Sequence, residues 1–190
     1  MTNIALIDGH PDADRGRFVH ALADAYASGA ATAGHALRRV ELATLDFPLL
    51  RSQRDWRDQP ACPAIAEAQE TIRWAEHLVF LYPLWLGDMP ALLKAFLEQV
   101  ARPGFALAEG RMPKPLLRGR SARLVVTMGM PAFFYRFYFG AHSVKSFERN
   151  ILKLAGVKPV ENTLVGNVDG DADDRAAWLE RMRDLGGRAA

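Results

Sequence analysis

The segment His77-Leu-Val-Phe-Leu-Tyr-Pro83 decides the class of fold. It is apolar at almost every position, which is typical of a strand that is buried on both faces of a sheet. Helix-like spacing of apolar residues precedes it over residues 64–75 and follows it over residues 88–100. Asp88 is predicted to cap this second helix, with Pro90 in its first turn. A buried strand between two helices predicts a parallel sheet covered by helices.

The same alternation continues in both directions along the chain. Further strands are predicted at residues 3–8, 37–42, 122–127 and 157–165, and further helices at residues 17–30, 143–155 and 173–185. Residues 43–63 contain three prolines and are predicted to form a long loop. Five strands alternating with five helices predict an α/β protein with a parallel sheet, which we expect to have the strand order 2-1-3-4-5. The length of 190 residues fits a single domain, residues 1–190.

The composition excludes several classes of protein. Of the 190 residues, 49% are hydrophobic and 24% are charged, which rules out wholesale disorder. Cys62 is the only cysteine, so no intramolecular disulfide forms and a reducing compartment is favoured. The N-terminus lacks a signal-peptide pattern, and no run approaches about 18 apolar residues. We therefore expect a cytoplasmic protein that does not insert into a membrane.

Basic residues are concentrated between residues 102 and 123. This segment is also rich in proline and glycine, which predicts a loop with a solvated rim rather than a nucleic-acid contact. The residues concerned are Arg102, Arg111, Lys114, Arg118, Arg120 and Arg123.

Sequence motifs of several common sites are absent. The first strand is not followed by Gly-x-Gly-x-x-Gly, and neither a Walker A loop nor a Gly-x-Ser-x-Gly elbow occurs. Asp169, Asp171, Asp173 and Glu180 match part of a calcium-loop spacing, but Asp174 stands where that loop needs glycine. We expect these acids to lie near the start of the last helix, where its dipole favours them, and we expect no metal site.

Three loops are predicted to form the functional site. Ligands of open α/β sheets bind at the carboxyl ends of the strands, next to the point where the strand order reverses. The loops that meet there are residues 9–16, 83–89 and 129–131. The first loop opens a helix whose free N–H groups can bind an anion, and Arg15 and Arg17 add positive charge. His10 is either a ligand-binding or a structural turn residue, and Trp85 either forms a flat wall or covers the core. Together these features indicate a site for a flat ring with a phosphate tail.

With these loops in place, the chain resembles the flavodoxin-like NAD(P)H:quinone oxidoreductases, a family that includes DT-diaphorase, modulator of drug activity B and the potassium-efflux ancillary proteins. The most specific match is residues 82–96, Tyr-Pro-Leu-Trp-Leu-Gly-Asp-Met-Pro-Ala-Leu-Leu-Lys-Ala-Phe. The resemblance also extends to four further places, Gly9-His10-Pro11, Phe18, Thr127-x-Gly129 and Tyr135. The resemblance implies a three-layer flavodoxin-like sandwich that binds FMN or FAD. It also implies hydride transfer from NADH or NADPH to a quinone-like acceptor, in a homodimer.

The resemblance also assigns roles to residues. Tyr135 and His142 would line the hydride-transfer site. The flavin would be held by His10, Arg17, Phe18, Pro83, Leu84, Trp85, Leu86, Thr127, Met128, Gly129 and Met130. The aromatic run at residues 133–139 would form pocket wall and dimer interface. Two departures from the family pattern affect the flavin contacts. Arg17 stands in a segment where the family has a hydroxyl and an amide, and Met128 and Met130 alter the family's Thr-Thr-Gly-Gly loop.

Two other functions remain open at the level of the sequence. One is a flavin-binding regulatory or interaction subunit of a partner such as a membrane transporter, which would bind flavin without being reduced by NAD(P)H. The other is a one-electron carrier, which the net charge of +2 argues against because such carriers are usually strongly acidic.

Overall fold

The computed structural model describes residues 1–110 and 114–190, and its centre is a five-stranded parallel sheet. The strands are β1 (Asn3–Asp8), β2 (Ala36–Glu41), β3 (His77–Pro83), β4 (Ser121–Thr127) and β5 (Val160–Val165). Their order is β2-β1-β3-β4-β5, and every neighbouring pair is parallel. The predicted class of fold and strand order are therefore confirmed.

Helices cover both faces of this sheet. They are α1 (Phe18–Thr32), α2 (Gln53–Arg57), α3 (Pro63–Trp74), α4 (Ala91–Val100), α5 (Ala132–Phe137), α6 (His142–Ser146) and α7 (Ala172–Arg188). A 3₁₀ turn occupies Leu42–Thr44, and a π-helical segment, Phe147–Lys153, continues α6. Helices α1 and α7 pack on one face, and α3, α4 and the π-helical segment pack on the other.

Side-chain alternation along the strands divides the core into two halves. Ile4 and Leu6 of β1 pack with α1 and α7, whereas Ala5 and Ile7 pack with α3 and α4. Because successive residues of a strand point to opposite faces, a strand covered on both sides must be apolar throughout. This explains why β3 is buried at all seven of its positions.

Three local predictions were wrong. Asp88 does not cap α4, which begins at Ala91 with Pro90 as its N-cap, because Asp88 is used in the preceding turn. The segment 43–63 is not a plain loop, since it contains the 3₁₀ turn, α2 and the start of α3. Arg102 and Arg123 do not lie on a solvated rim, since they are only 8% and 6% exposed. Arg111 of the same predicted rim lies outside the described residues.

Buried Arg102 instead fastens the segment that contains α2 to the end of α4. Its Nη1 donates to the carbonyl oxygens of Asp55 (2.7 Å) and Gln59 (2.6 Å), and its Nε and Nη2 donate to Gln99. Arg123 in β4 donates to Thr163 and pairs with Glu161 of β5. The Arg102 guanidinium is buried because its nitrogens donate to groups inside the protein, and the Arg123 guanidinium is buried because Thr163 and Glu161 bind its two terminal nitrogens.

Two further features of the described residues bear on the sequence predictions. Asp171 caps α7 by accepting the N–H of Asp174 at 2.9 Å, as the acidic start of the last helix suggested. Within residues 1–110 and 114–190, no helix is both long enough and apolar enough to cross a membrane.

Candidate functional site

The loops after β1, β3 and β4 meet at the carboxyl edge of the sheet, as predicted. The N–H of Gly9 donates to the Leu81 carbonyl at 2.7 Å, and the N–H of Leu84 donates to the Thr127 carbonyl at 2.8 Å. The backbone at Gly9 passes so close to β3 that a Cβ there would lie 3.0 Å from the Leu81 carbonyl oxygen. The three loops therefore form one continuous surface.

The loop between β1 and α1 is folded around its own carboxylates. Asp12 accepts the N–H of Asp14 at 2.9 Å, and Asp14 accepts the N–H of Gly16 at 2.9 Å. Arg17 donates from Nε to Asp12 at 2.8 Å and lies 3.7 Å from Asp14. The hydrogen bond from the Asp14 backbone N–H, followed by that from Arg17, holds the pKa of Asp12 below its ordinary value of 3.8. Arg17 is thus in place at the predicted anion site, already paired with a carboxylate.

Among the described residues, the first turn of α1 has no side-chain cap and contains no acidic residue. The N–H groups of such a turn bind anions, assisted by the helix dipole. Phe18 is 9% exposed, and Arg175 at the start of α7 lies over its ring, 4.6 Å from the centroid. Arg175 is a second cation at this site that local sequence patterns did not reveal, because it comes from the far end of the chain.

The loop after β3 projects two apolar side chains. Trp85 and Asp88 exchange backbone hydrogen bonds of 2.9 and 3.0 Å, and Leu86 and Gly87 between them both have positive φ. Two positive φ values define a type I′ turn, and the left-handed conformation is uncommon for leucine. Trp85 is 48% exposed and Leu86 is fully exposed. The strained turn therefore presents an aromatic ring and an alkyl chain to solvent, the usual construction of a ligand wall.

His10 connects the first two loops. Its ring meets Trp85 edge-on, with centroids 5.8 Å apart. Its Nδ1 accepts the N–H of Asp12 at 3.0 Å, so the remaining proton of the neutral ring is on Nε2. Burial, followed by the nearby His20, lowers the pKa of His10 from its ordinary value of 6.5. His10 is therefore an uncharged donor beside the wall formed by Trp85.

A buried charge network beneath the first loop was not predicted. Asp8, at the end of β1, is 1% exposed and lies 2.6 Å from Nδ1 of His20 and 3.0 Å from Nη2 of Arg39. His20 is 3% exposed, and its Nε2 lies 2.8 Å from the Asp12 carbonyl. The sequence did contain one signal for this network, since Asp8 is a carboxylate at the end of a largely apolar strand. Its partners could not be predicted, because they come from α1 and β2.

The loop after β4 has mainly backbone groups, rather than side chains, available for contact with a ligand. Thr127 and Met128 are buried at 4% and 3% exposure, whereas Gly129 is exposed. Met130 is half-buried and accepts the N–H of Asn167 at 3.3 Å. Pro83 is buried and Leu84 half-buried against this loop. Of these predicted flavin contacts, Met128 could act only through its main chain, because its side chain is in the core.

The two candidate hydride-site residues lie in consecutive segments. Tyr135 of α5 is 1% exposed, and its hydroxyl is 2.9 Å from Oγ of Ser143. His142, the first residue of α6, is exposed. Ala141 between them has a positive φ and donates its N–H to the Tyr135 carbonyl at 3.2 Å. Tyr135 thus fastens the turn that carries His142.

The neighbouring aromatic run is largely exposed. Phe133, Phe137 and Tyr138 are 66%, 79% and 73% exposed. Phe134 and Tyr138 stack in parallel at 4.8 Å, and Phe139 meets both rings edge-on. The rings form a contiguous apolar patch, which we call the aromatic patch (residues 133, 134 and 137–139). Patches of this kind usually mark interaction surfaces.

A separate apolar cavity of about 530 Å³ lies near the amino end of β3. Its walls include Trp56, Leu78, Leu97 and Leu154, and none of the predicted site residues lines it. It is therefore not the predicted site, which is an open edge rather than an enclosed cavity.

The residues at the carboxyl edge fit a flavin phosphate and ring. The uncapped first turn of α1, with Arg17 and Arg175 beside it, suits an anion. The exposed Trp85 and Leu86 suit a flat apolar ring. The uncharged His10 lies beside Trp85 and carries its proton on Nε2. The carboxylates of Asp12 and Asp14 already bind two loop N–H groups, so a phosphate would share the loop with them.

Fold and site together define a doubly wound α/β protein with an uncapped helix N-terminus after β1 and an exposed apolar turn after β3. The family model described as "Flavodoxin-like fold" matches residues 2–185, so the chain belongs to this family.

Individual relatives agree with this assignment. The NAD(P)H:quinone oxidoreductase from Methanothermobacter marburgensis superimposes with a TM-score of 0.82 at 25% identity, over 100% of this chain and 99% of that one. The FMN-dependent NADH:quinone oxidoreductase of Ruegeria pomeroyi is 32% identical over 80 residues, 41% of this chain and 39% of the relative. The potassium-efflux ancillary protein KefG of Escherichia coli is 38% identical over 73 residues, 38% of each chain. The chain spans only 28% to 39% of the length of such curated relatives.

Proposed function

We propose that the protein is an FMN-dependent NAD(P)H:quinone oxidoreductase. The observation that carries this proposal is the meeting of an uncapped helix N-terminus and an exposed tryptophan wall at the carboxyl edge of the sheet. The relative from Ruegeria pomeroyi supports FMN rather than FAD, and the archaeal structure supports a nicotinamide donor and a quinone acceptor.

Each part of the site has a proposed role. The first turn of α1 and Arg17 bind the phosphate, while Trp85, Leu86 and the loop after β4 hold the ring. When bound, the flavin supplies the two-electron redox chemistry. The protein orients the reactants and keeps water from the reacting face.

His142 and Tyr135 are proposed for the reacting face. Exposed His142 can hold or move a proton to the acceptor, and buried Tyr135 positions it through the turn around Ala141. If His142 acts as an acid, His142→Gln lowers kcat about 10²-fold and leaves flavin binding unchanged. Stopped-flow measurement of flavin reduction and of quinone turnover separates the two half-reactions. An unaltered kcat for the variant would remove His142 from the mechanism.

The working unit is proposed to be a homodimer. The aromatic patch supports this, because it adjoins the loop after β4 and exposes several large rings. A second copy that covered the patch would also shield the flavin edge. In a two-fold dimer the same patch serves both subunits.

The test of the proposed function is direct. Purified protein is titrated with FMN, FAD and riboflavin, and the complex is mixed anaerobically with NADH or NADPH and then with a benzoquinone. We expect quenching of Trp85 fluorescence, which Trp85→Phe removes, followed by flavin bleaching and recovery with ping-pong kinetics. Failure to bind any of the three flavins would refute the proposal.

A regulatory role is the second candidate function, favoured by the 38% identity to KefG over 73 residues. It predicts flavin binding without reduction by either nicotinamide. The same anaerobic mixing experiment decides between the two functions.

A further inference from the structure

The protonation state of His20 can be deduced from its neighbours. The side chain is almost fully buried, with Nδ1 2.6 Å from Oδ2 of Asp8 and Nε2 2.8 Å from the Asp12 carbonyl oxygen. A carbonyl oxygen only accepts hydrogen bonds, so Nε2 must carry a proton. The charge of Asp8 then decides whether Nδ1 carries one as well.

Asp8 has the surroundings of an ionised carboxylate. Its Oδ1 accepts the N–H of His10 at 3.3 Å, and its Oδ2 accepts from Arg39 at 3.0 Å. Donors at both oxygens and an adjacent guanidinium favour the charged form. An ionised Asp8 cannot donate, so Nδ1 of His20 also carries a proton, and a ring with two N–H groups is an imidazolium.

Charge balance within the network supports the same conclusion. Around Asp8, Arg39 pairs with Asp24 and Glu41, and these two acids also pair with Arg15. These three carboxylates outnumber the two arginines by one, and in the loop above them Asp12 and Asp14 outnumber Arg17 by one. A neutral His20 would offset none of this negative charge beneath a loop that is to bind an anion, whereas an imidazolium offsets one unit of it.

His10, whose ring centroid is 5.2 Å from that of His20, is the opposite case. It accepts a backbone N–H at Nδ1, and its pKa is lowered by burial and by His20. The two histidines are thus held in different charge states by different hydrogen-bond partners.

We propose that His20 is a buried imidazolium that positions the β1–α1 loop for a phosphate monoester. It holds the Asp12 carbonyl beneath the loop, and with it the segment that leads into the first turn of α1, and it cancels the charge of Asp8. The identity of the ligand, FMN, rests on the proposed function, whereas the charge state of His20 does not. His20 is a positioning residue, since its two ring nitrogens are already bound to Asp8 and to the Asp12 carbonyl.

The first test measures the charge state in the full chain without ligand. In ¹⁵N-histidine-labelled protein at about pH 7.5, where an exposed imidazole is mostly neutral, both ring nitrogens of His20 should be protonated. His35 is the internal control, because its Nδ1 accepts the N–H of Thr2 at 3.1 Å and it should show one bare nitrogen. The variants His20→Gln and His35→Gln assign the signals. One unprotonated nitrogen in His20 would overturn the proposal.

The second test compares FMN with riboflavin, which lacks the phosphate. His20→Gln should weaken FMN binding about tenfold or more and change riboflavin affinity by less than about twofold. His35→Gln should change neither. Equal losses for both flavins, or no loss, would overturn the positioning role.

A third measurement needs no variant. Addition of FMN to wild-type protein should shift both His20 N–H resonances, and riboflavin should leave them in place. Identical shifts with both flavins would contradict the proposal. If wild-type protein binds neither flavin, the proposed function fails, and the charge state of His20 is still decided by the first test.

Discussion

At the scale of single residues, Arg17 is a cation of the proposed phosphate site that is already paired with a carboxylate. Its side chain is about half exposed and is bound to Asp12. A phosphate would compete with Asp12 for the guanidinium of Arg17. The phosphate therefore gains less binding free energy from Arg17 than it would from an unpaired arginine. Arg17→Ala should weaken FMN binding about tenfold, because a charge-assisted contact screened by solvent contributes about 1–2 kcal/mol. Isothermal titration with FMN measures this, and riboflavin binding is the control. Unchanged FMN affinity would assign Arg17 to a purely structural role with Asp12.

His77 supplies a prediction about stability and pH. Burial, followed by the charge of Arg123, lowers its pKa from 6.5 to about 4. The unfolded chain therefore binds a proton that the folded chain does not between these two values. The contribution of the uncharged His77 to the free energy of unfolding is fully present above about pH 6.5. As the pH falls towards about 4, the free energy of unfolding decreases by about 3 kcal/mol. His77→Leu should flatten this dependence when urea unfolding is compared between about pH 7 and pH 4.5. Parallel pH profiles for variant and wild type would contradict it.

At the scale of elements, the contact between α1 and α7 depends on the absence of side chains. A Cβ on Gly29 would lie 1.9 Å from the Arg183 carbonyl oxygen, whereas a Cβ on Gly187 would meet its nearest atom at 3.7 Å. Gly29→Ala should therefore force the helices apart and destabilise the fold by about 2–3 kcal/mol or more. Gly187→Ala is the matched control and should stabilise by up to about 1 kcal/mol through helix propensity. Thermal unfolding of both variants tests this, and equal midpoints would refute the close packing.

At the scale of the whole molecule, the aromatic patch is the surface that a second copy would cover. Tyr138 is 73% exposed within one chain. In the proposed dimer, Tyr138→Asp places a charge in the interface of both subunits, at a cost of several kcal/mol each. Multi-angle light scattering should give a doubled mass for wild type and the 21.1 kDa chain mass for the variant. Lys158→Asp, an exposed change at the opposite edge of the sheet, should remain dimeric. A wild-type mass near that of one chain at micromolar concentration would refute the dimer.

Several features of this protein followed from the sequence by itself. The apolar runs at residues 3–8 and 77–83 determined buried parallel strands, because a strand covered on both faces has no polar side to expose. Helix periodicity and turn residues placed the three loops, and the chain order of strands and helices pointed to the carboxyl edge. These are local properties, determined by residues that are near one another in the chain.

Only the tertiary structure decided what depends on distant partners. Arg102 and Arg123 are buried because backbone carbonyls, Thr163 and Glu161 come to them from other elements. Asp88 closes a turn with Trp85 instead of capping α4, because this turn ends before the helix begins. The charge network of Asp8, His20 and Arg39 joins a strand, a helix and the neighbouring strand. Whether a polar residue is solvated, paired or functional depends on which groups surround it in space, and spacing along the chain does not encode those neighbours.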